Sequence, residues 1–326
     1  MAISEKRPIH LAFLGCGFAT RLHSRTLPRV DKHIRRYYAS RSGTKAESYN
    51  KKFGGYGAFE GYEAAVRSPD VDAVLIATPP AQHLDLTLLA LRAGKHAIVE
   101  KPPFLHAADF NMVREVQRET GKQVFVAENY FYKPLARKLR TILKQGSIGE
   151  VIFLHMNALK QQTTDNWRDD AAIVGKGALF EGGIHWINLM TNLGLNVEAA
   201  YGFLPGAATP LERSALVTIR YKEGAVGALY YSWDTPALFK GLRLSKIYGR
   251  EGTITFESNG VFVAVHGRKK QLSFPGLTDI AGYQAMFEDF ISAIQSESAP
   301  QFTLERAQQD LQLVEHIYQS IRQQSR

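Results

Sequence analysis

The chain has 326 residues, more than twice the roughly 150 residues of a typical domain, so two domains are expected. Its 45% hydrophobic and 22% charged residues are typical of a globular protein, and its single cysteine, Cys16, excludes an intramolecular disulfide and any cysteine-cluster metal site. The net charge of +9 would suit a phosphate-bearing partner, but no nucleic-acid-binding motif accompanies it, so we expect no nucleic acid partner.

The start of the chain predicts neither a membrane anchor nor a leader. No apolar run reaches the roughly 18–20 residues of a membrane span. The run LAFLGCGFA after Lys6 and Arg7 is short enough for a signal peptide, but it breaks at Arg21 without a small-residue cleavage site before the basic stretch. We therefore expect the mature chain to start at or near Met1 and to lie in the cytoplasm, a reducing compartment that suits one free cysteine.

The first third of the chain alternates short apolar runs with amphipathic stretches. The predicted strands are IHLAFLG, IRRYYAS, DAVLIATPP, KHAIVEKPP and KQVFVAENY. The predicted helices between them are FATRLHSRTLP, TKAESYNKKFG, HLDLTLLALRAG and ADFNMVREVQRETG, which have apolar residues at helical spacing. This alternation predicts βαβ units, and so a Rossmann-type doubly wound parallel sheet, over residues 1–128.

The pattern changes after about residue 125. A predicted strand, VIFLHMNALK, is followed by a long loop and a predicted helix, GALFEGGIHWINLMTNLG. Two predicted hairpins follow, SALVTIRY-KEG-AVGALYYSW and TITFE-SNG-VFVAVHG, with Gly224 and Asn259-Gly260 in their turns. Two amphipathic helices, YQAMFEDFISAIQS and LERAQQDLQLVEHIYQSIRQQ, close the chain. Residues 129–326 are therefore predicted to form an α+β domain with a largely antiparallel sheet.

The segment LAFLGCGFAT places Gly15-x-Gly17 directly after the first predicted strand. Glycines at this point let the backbone turn sharply and approach a pyrophosphate that sits on the N-terminus of the next helix. Thr20 stands where a third glycine is usual, which implies slightly wider packing of helix on strand. The motif favours dinucleotide binding, although tight strand–helix turns also use glycine for purely structural reasons.

The end of the second predicted strand distinguishes between cofactors. An NAD site usually has an acidic residue there that binds the ribose 2′-hydroxyl. This chain has Ser40 followed by Arg41, with Lys45 a turn later. A hydroxyl with a guanidinium can hold a 2′-phosphate that a carboxylate would repel. The pattern favours NADP(H) over NAD(H), and the alternative is solvated charge at a strand end.

Two further groups of residues could carry chemistry. In HAIVEKP, Lys101 follows Glu100 at the carboxyl end of a predicted parallel strand, where doubly wound sheets bind ligands. In EGGIH, Glu181 and His185 are four residues apart, so a carboxylate and an imidazole share one helix face and can act together in proton transfer. Taken alone, each of these patterns is more often surface charge than a catalytic site.

Together these segments resemble the glucose–fructose oxidoreductase / inositol dehydrogenase / rhizopine catabolism (Gfo/Idh/MocA) family. The resemblance covers nearly the whole chain: GCGFATRLH, ATPPAQH, AGKHAIVEKP, WRDD with GALFEGGIHWIN, YGREGTITFE and FEDFISAI. It implies an N-terminal Rossmann domain and a C-terminal domain with an open, mostly antiparallel sheet, whose exposed face forms a homodimer or homotetramer interface. It also implies NAD(P)-dependent oxidation or reduction of a hydroxyl or carbonyl group on a sugar, cyclitol or related polyol.

The resemblance also assigns roles to residues. His185 is the expected general acid/base, Lys101 the group that binds the reacting oxygen near the nicotinamide, and Glu181 their catalytic neighbour in a place where the family usually has Asp. The expected cofactor-binding residues are Gly15, Gly17, Phe18, Ala19, Ser40, Arg41, Lys45, Thr78, Pro79, His83, Glu100 and Lys101. The expected substrate-binding residues are Lys101, Asn129, Trp167, Arg168, Glu181 and His185. No metal is expected.

Departures from the family pattern bear on the substrate more than on the chemistry. Glu181 is one methylene longer than Asp, and Asn188 replaces a second acidic residue that often helps bind polyol hydroxyls. Two other functions remain open. One is a glycoside hydrolase that uses a tightly bound NAD for transient oxidation. The other is a sugar sensor that binds NADP without catalysis.

Overall fold

A computed structural model describes residues 7–164, 170–206, 211–236 and 242–324. The chain divides into two compact units, one of residues 1–128 with 283–308 and the other of residues 129–282 with 309–326. Each unit contains its own sheet. Within the described ranges, no helix is long and apolar enough to cross a membrane.

The first unit is built on a six-stranded sheet. Its strands are β1 (Ile9–Leu14), β2 (Ile34–Ser40), β3 (Gly57–Glu60), β4 (Ala73–Ile76), β5 (His96–Val99) and β6 (Val124–Val126). Their order is β3-β2-β1-β4-β5-β6, and all neighbouring strands are parallel. This is the strand order of doubly wound dinucleotide-binding sheets, so the fold prediction for this unit is confirmed.

Helices follow most of these strands. They are α1 (Phe18–Thr26), α2 (Gly43–Phe53), α3 (Tyr62–Arg67), α4 (His83–Arg92) and α5 (Asp109–Thr120), with 3₁₀ turns at Leu27–His33 and Pro80–Gln82. The C-caps of α2 and α5, Gly54 and Gly121, have φ of 62° and 67°, a left-handed conformation that favours glycine and ends a helix.

The structure differs from the sequence prediction at two places in this unit. Strand β3 and helix α3 were not predicted, because the segment GAFE is short and its first three residues are only half-buried, so it has no strong apolar pattern. The predicted strand KQVFVAENY ends at Val126, and the short helix α6 (Asn129–Tyr132) takes its last two residues.

The second unit is built on an eight-stranded sheet. Its strands are β7 (Val151–Leu159), β8 (Val197–Phe203), β9 (Ser214–Tyr221), β10 (Val226–Ser232), β11 (Leu244–Gly249), β12 (Gly252–Glu257), β13 (Val263–His266) and β14 (Gln271–Ser273). Their order is β14-β13-β12-β11-β7-β10-β9-β8. Both predicted hairpins are present, and every neighbouring pair is antiparallel except β7 with β10. The prediction of a mostly antiparallel sheet is therefore confirmed.

The remaining helices are α7 (Pro134–Lys144), α8 (Ala171–Val174), α9 (Ile184–Thr191), α10 (Tyr283–Ser296) and α11 (Leu304–Gln324). The last two match the amphipathic helices that the sequence predicts. Residues 283–308 group with the first unit, where the rings of Phe125 and Phe290 lie 5.0 Å apart. The functional division into residues 1–128 and 129–326 stays a prediction.

The two faces of the second sheet differ in what covers them. On one face, Gly202 and Gly227 let helices approach: a Cβ at these positions would lie 2.6 Å from Ile317 of α11 and 2.7 Å from Met190 of α9. On the other face, Val226, Phe153 and Tyr248 lie side by side on β10, β7 and β11, and are 40%, 55% and 36% exposed. That face has a run of apolar side chains that the described part of the chain leaves open.

Candidate functional site

The turn after β1 lies at the point where the strand order of the first sheet reverses. Gly15 has a φ of 107°, and its N–H donates to the carbonyl of Ala39 at the end of β2 over 3.0 Å. A Cβ at this position would lie 2.8 Å from the carbonyl oxygen of Ala77, just beyond β4. Both the backbone conformation and the close approach therefore require glycine at residue 15.

The second glycine of the turn has a different role. Gly17 is the N-cap of α1, and the space where its Cβ would lie has no atom within 4 Å. No side chain caps α1, and its first turn has no acidic residue. The next residues, Phe18 and Ala19, are exposed and half-buried. The first N–H groups of α1 are thus open to an anion, which is how such turns bind a pyrophosphate.

Thr20 has a local function that the sequence does not reveal. Its side chain is fully buried, and its hydroxyl donates to the carbonyl of Gly15. In place of the glycine that is usual here, this chain therefore has a side chain that ties α1 to the glycine turn. Cys16 lies in the same turn, and burial raises the pKa of its thiol to about 11, so the thiol is uncharged at neutral pH.

At the end of β2, the structure presents polar and basic side chains. Ser40 is buried, whereas Arg41 and Lys45 are exposed. Ser42 caps α2 by accepting a hydrogen bond from the N–H of Lys45 over 3.4 Å. Glu60, across from Ser40 in the parallel β2–β3 register, has a carboxylate oxygen 3.1 Å from where a Cβ of Gly43 would be. A carboxylate thus stands beside the start of α2, supplied by a neighbouring strand.

The end of β4 carries Thr78, Pro79 and His83. The Thr78 hydroxyl is buried and has no hydrogen-bond partner among the described residues. His83 is 1% exposed, with Nε2 2.8 Å from the carbonyl oxygen of Thr78 and Nδ1 3.0 Å from that of Pro102. Burial lowers the pKa of His83 and outweighs the carbonyl contacts. As a neutral ring His83 has one N–H, so it donates to only one of the two carbonyls while it packs between the turns after β4 and β5. The buried Thr78 hydroxyl is the group at this strand end that could bind a ligand.

The end of β5 carries Glu100 and Lys101. One carboxylate oxygen of Glu100 contacts Nε2 of His23 in α1, and the other accepts from the backbone N–H of Lys101 over 3.1 Å. Burial would raise the pKa of Glu100, but His23 and Lys101 outweigh it and lower the value. His23 is fully buried, with its ring edge-on to Phe287 at 5.4 Å. Lys101 is half-buried at the strand end.

In the second unit, Glu181 lies in a π-helical turn, Leu179–Gly183, which continues into α9. Glu181 is buried, and His185, in the first turn of α9, is half-buried. Gly182 is required here because a Cβ would lie 2.2 Å from the hydroxyl of Tyr231. The Tyr231 hydroxyl accepts a hydrogen bond from the indole N–H of Trp233 over 2.7 Å. The π turn therefore packs closely on β10.

A buried carboxyl group holds the start of the same π turn. Glu212 is 5% exposed and accepts hydrogen bonds from the N–H of Leu179 over 2.8 Å and from the hydroxyl of Tyr318 over 2.7 Å. Burial raises the pKa of Glu212, more than these hydrogen bonds lower it. Its own carbonyl accepts from the N–H of Ala178 over 2.7 Å. Glu212 and Tyr318 thus fix the segment that carries Glu181.

Two asparagines near these residues have their amides engaged in the fold. Asn129 donates to the carbonyl of Ala281 over 2.7 Å. Asn188, at the position of the family's second acid, is fully buried and donates to the carboxylate of Asp310 over 2.7 Å. The carboxylate beside Asn188 is thus that of Asp310 on α11, and the Asn188 amide donates to it. Trp167 and Arg168, two predicted substrate residues, lie outside the described residues.

The predicted residues form two groups. The residues that follow β1, β2, β4 and β5 lie at the carboxyl edge of the first sheet. In the second unit, Glu181 and His185 lie on one helical segment.

Four residues of these two groups were not predicted from the sequence: Glu60, His23, Glu212 and Tyr130. The ring of Tyr130 stacks on His185, with the two centroids 4.5 Å apart. A polar residue within an otherwise apolar helix face was a signal for His23. Among the described residues, no three His, Cys, Asp or Glu side chains are arranged to hold a metal ion.

Two family models match the chain. An oxidoreductase-family model, an NAD-binding Rossmann fold, matches residues 9–128, and a Gfo/Idh/MocA C-terminal domain model matches residues 136–255. The chain belongs to the Gfo/Idh/MocA family. These matches confirm the resemblance found in the sequence and the class of its first domain.

Individual relatives include sugar-acting enzymes. Over 158 residues, 48% of this chain, it is 37% identical to the dTDP-3,4-didehydro-2,6-dideoxy-alpha-D-glucose 3-reductase of Streptomyces violaceoruber. The match spans about half of that relative, 45% of its length. The levoglucosan dehydrogenase of Pseudarthrobacter phenanthrenivorans is 24% identical over 77% of this chain and 71% of its own. The solved structure of a levoglucosan dehydrogenase in complex with NADH and levoglucosan superposes on this chain with a TM-score of 0.85 at 20% sequence identity. The superposition covers 97% of this chain and 98% of that one, so the two proteins share the fold.

Proposed function

We propose that this protein is an NADP(H)-dependent oxidoreductase that acts on a hydroxyl or carbonyl carbon of a sugar, cyclitol or related polyol. The observation that carries the proposal is the open turn at Gly17, at the reversal point of a doubly wound sheet in a chain of this family. The names of the reductase and the levoglucosan dehydrogenase support a sugar as the substrate. We propose the cytoplasm as its location.

The residues of the first unit fit a dinucleotide. Gly15 allows the sharp turn and Gly17 leaves open space beside it for a pyrophosphate. The start of α1 offers free N–H groups, and the unpartnered hydroxyl of Thr78 can donate to a bound group. A bound nicotinamide would supply the site that accepts or donates hydride. Arg41 and Lys45 are exposed beside Ser40, and they support the choice of NADP(H) over NAD(H).

We propose that Lys101 and His185 both act on the substrate oxygen, in different roles. We assign to the Lys101 ammonium the stabilisation of negative charge that develops on that oxygen. We assign to the His185 imidazole the proton, which it removes in oxidation and returns in reduction. Glu181, on the same helical segment, supports the imidazole or binds a substrate hydroxyl, and Asn129, Trp167 and Arg168 are proposed to contact the rest of the substrate.

The test is an assay of the purified chain with NADP⁺ or NADPH and a panel of sugars and polyols, followed by the absorbance of the reduced nicotinamide. Stoichiometric turnover supports the proposal. Cleavage of a glycoside without net absorbance change identifies a hydrolase instead, and binding without either identifies a sensor. On a confirmed substrate, His185→Ala should lower kcat by about 10²–10⁴-fold, the usual contribution of a general acid/base.

A matched pair of variants separates the charge of Lys101 from its bulk. Lys101→Met keeps the length of the side chain and removes the ammonium, whereas Lys101→Arg keeps the charge in another shape. If the charge stabilises the reacting oxygen, Met should lose more turnover than Arg. Equal turnover of Lys101→Met and the wild type would refute the assigned role.

A further inference from the structure

The turn that follows β6 is held rigidly within the second unit. Asn129, the first residue of α6, donates its amide to the carbonyl of Ala281. Gly282 has a φ of 79°, and a Cβ there would lie 2.6 Å from the backbone nitrogen of Lys133 and 2.7 Å from the carbonyl oxygen of Asn129. The segment 281–282 therefore packs directly against the backbone of α6 and fixes its position.

This packing places the ring of Tyr130 on the imidazole of His185. The two ring centroids lie 4.5 Å apart, and the planes are inclined by only 14°, so the rings are stacked. The indole of Trp186, the next residue of α9, meets Tyr130 edge-on at 5.5 Å and 71°. One tyrosine ring thus contacts two consecutive side chains of α9, which defines its position relative to that helix.

A buried cation contacts the same ring. The ammonium of Lys133 lies 4.3 Å from the centroid of Tyr130, and Lys133 is only 5% exposed. A cation above an aromatic face is attracted by the negative charge of that face, and the attraction is stronger where water is excluded. Lys133 therefore helps to hold the Tyr130 ring in place.

We propose that Tyr130 is a positioning residue that fixes the plane of the His185 imidazole. An imidazole accepts and donates protons in its own plane, so the orientation of that plane sets the direction in which Nδ1 and Nε2 point. A stacked ring opposes rotation of the imidazole and leaves both nitrogens at the ring edge. The inference rests on the proposed function, because it gives His185 the proton-transfer role whose geometry Tyr130 controls.

The experiment compares Tyr130→Leu, Tyr130→Phe and Tyr132→Leu in the full-length chain. The first removes the stacked ring, and the second keeps the ring without its hydroxyl. Tyr132 lies on the same short helix and packs edge-on against Phe131 at 5.2 Å, so Tyr132→Leu removes an equal ring that is not the one stacked on His185. Two readouts are measured: the ¹H and ¹³C signals of the His185 ring, assigned with His185→Ala, and kcat and KM on a confirmed substrate.

If Tyr130 positions the imidazole, Tyr130→Leu moves the His185 signals downfield, because the ring-current shift of the stacked phenol is lost. The same variant lowers kcat by about 10-fold to 10²-fold, the cost of a misplaced catalytic group, while KM for NADPH stays within a factor of about two. Tyr130→Phe restores both the signals and kcat. Tyr132→Leu leaves the His185 signals in place.

Unchanged His185 signals in Tyr130→Leu would overturn the inference, because the ring would then not hold the imidazole. Moved signals with unchanged kcat would overturn it too, because the orientation would not matter for the reaction. Failure of Tyr130→Phe to restore kcat would assign the effect to the phenol hydroxyl instead. If the wild type turns over no substrate, the proposed function fails, whereas the His185 signals still report whether the Tyr130 ring stacks on the imidazole.

Discussion

Glu100 and the buried His23 form a contact between the end of β5 and α1, although they are 77 residues apart in the chain. The second carboxylate oxygen of Glu100 binds the backbone N–H of Lys101. One carboxylate therefore joins the helix that follows the glycine turn to the residue proposed to act on the substrate oxygen. The cofactor turn and Lys101 are thus held in one rigid arrangement within the first unit.

The lowered pKa of Glu100 predicts how the stability of the protein depends on pH. Because the folded state holds this carboxyl ionised below its usual pKa of 4.5, its contribution to stability is present above that value and is lost as the pH falls through the folded-state pKa. Glu100→Gln should therefore be less stable than the wild type at pH 7, and the difference should shrink below about pH 4.5. Urea unfolding from pH 7 to pH 3.5 measures this difference.

Glu47→Gln is the matched control for that measurement. Glu47 faces solvent on α2 beside Lys51, four residues on, at 3.8 Å. Exposed pairs of this kind contribute little to stability, so its difference from the wild type should be small at every pH. A deficit of Glu100→Gln that stays constant down to pH 3.5 would show that the carboxylate charge is not what stabilises the pair.

Cofactor choice is predicted to depend on Arg41. A charge-assisted hydrogen bond contributes roughly 1.5–3 kcal/mol, so Arg41→Ala should weaken NADPH binding by about 10-fold to 10²-fold and leave NADH binding nearly unchanged. Titration of intrinsic or nicotinamide fluorescence gives both dissociation constants. Lys51→Ala, at the far end of α2, serves as a control for the general loss of positive charge. An equal loss for both cofactors would refute the 2′-phosphate assignment.

Glu60 is predicted to act against Arg41. Its carboxylate lies beside the start of α2, near the strand end where a 2′-phosphate is proposed to bind, and two negative charges repel each other. Glu60→Gln should therefore tighten NADPH binding by a few-fold and leave NADH binding unchanged. The effect should diminish at high salt, because exposed charges are screened. If Glu60→Gln weakens NADPH, the carboxylate supports the cofactor site instead of opposing it.

The raised pKa of Glu212 predicts the opposite pH dependence from that of Glu100. A buried carboxyl whose folded-state pKa is raised favours the folded state when protonated, and its ionisation destabilises the fold as the pH rises. Glu212→Gln keeps an oxygen that can accept from Leu179 and Tyr318 and cannot ionise. Its melting temperature should therefore rise relative to the wild type between pH 5 and pH 8. A loss of stability that is equal at both pH values would indicate that the amide does not fit.

The open face of the second sheet is predicted to be a self-association surface. Val226, Phe153 and Tyr248 form an exposed apolar row across three strands, and contiguous patches of this kind mark contact sites. Light scattering at micromolar concentration should give the mass of a homodimer or homotetramer. Phe153→Asp should lower that mass, whereas Tyr56→Asp, at an exposed aromatic of the first unit, should not. A monomeric mass for the wild type would show that this sheet face is not a self-association surface.

The sequence predicts most of the fold because local patterns determine it. Alternating apolar runs and helices ending in glycine give the parallel sheet, and turn residues such as Gly224 mark the hairpins. Strand β3 was missed because GAFE is short and only partly buried. The prediction of a strand was wrong at the end of KQVFVAENY, where Asn129 begins a short helix and donates its amide to the carbonyl of Ala281, a residue far along the chain.

The candidate site is only partly visible in the sequence for the same reason. Gly15, Lys101 and His185 stand in recognisable local patterns, and they can be named without a structure. His23, Glu212 and Tyr130 act through contacts with residues more than 30 positions away. Such partners depend on the packing of the whole unit, so no local pattern identifies them.

The π turn that carries Glu181 contains one more residue than an α-helical turn would need. Deleting either Gly182 or Gly183 would let the segment close as a continuous α-helix. Each residue of an α-helix advances by about 100° around the axis, so after the deletion Glu181, then three residues before His185, would lie about 60° away from it around the helix axis. A one-residue change in chain length would therefore act as a rotation of the carboxylate about the helix axis while leaving α9 where it is.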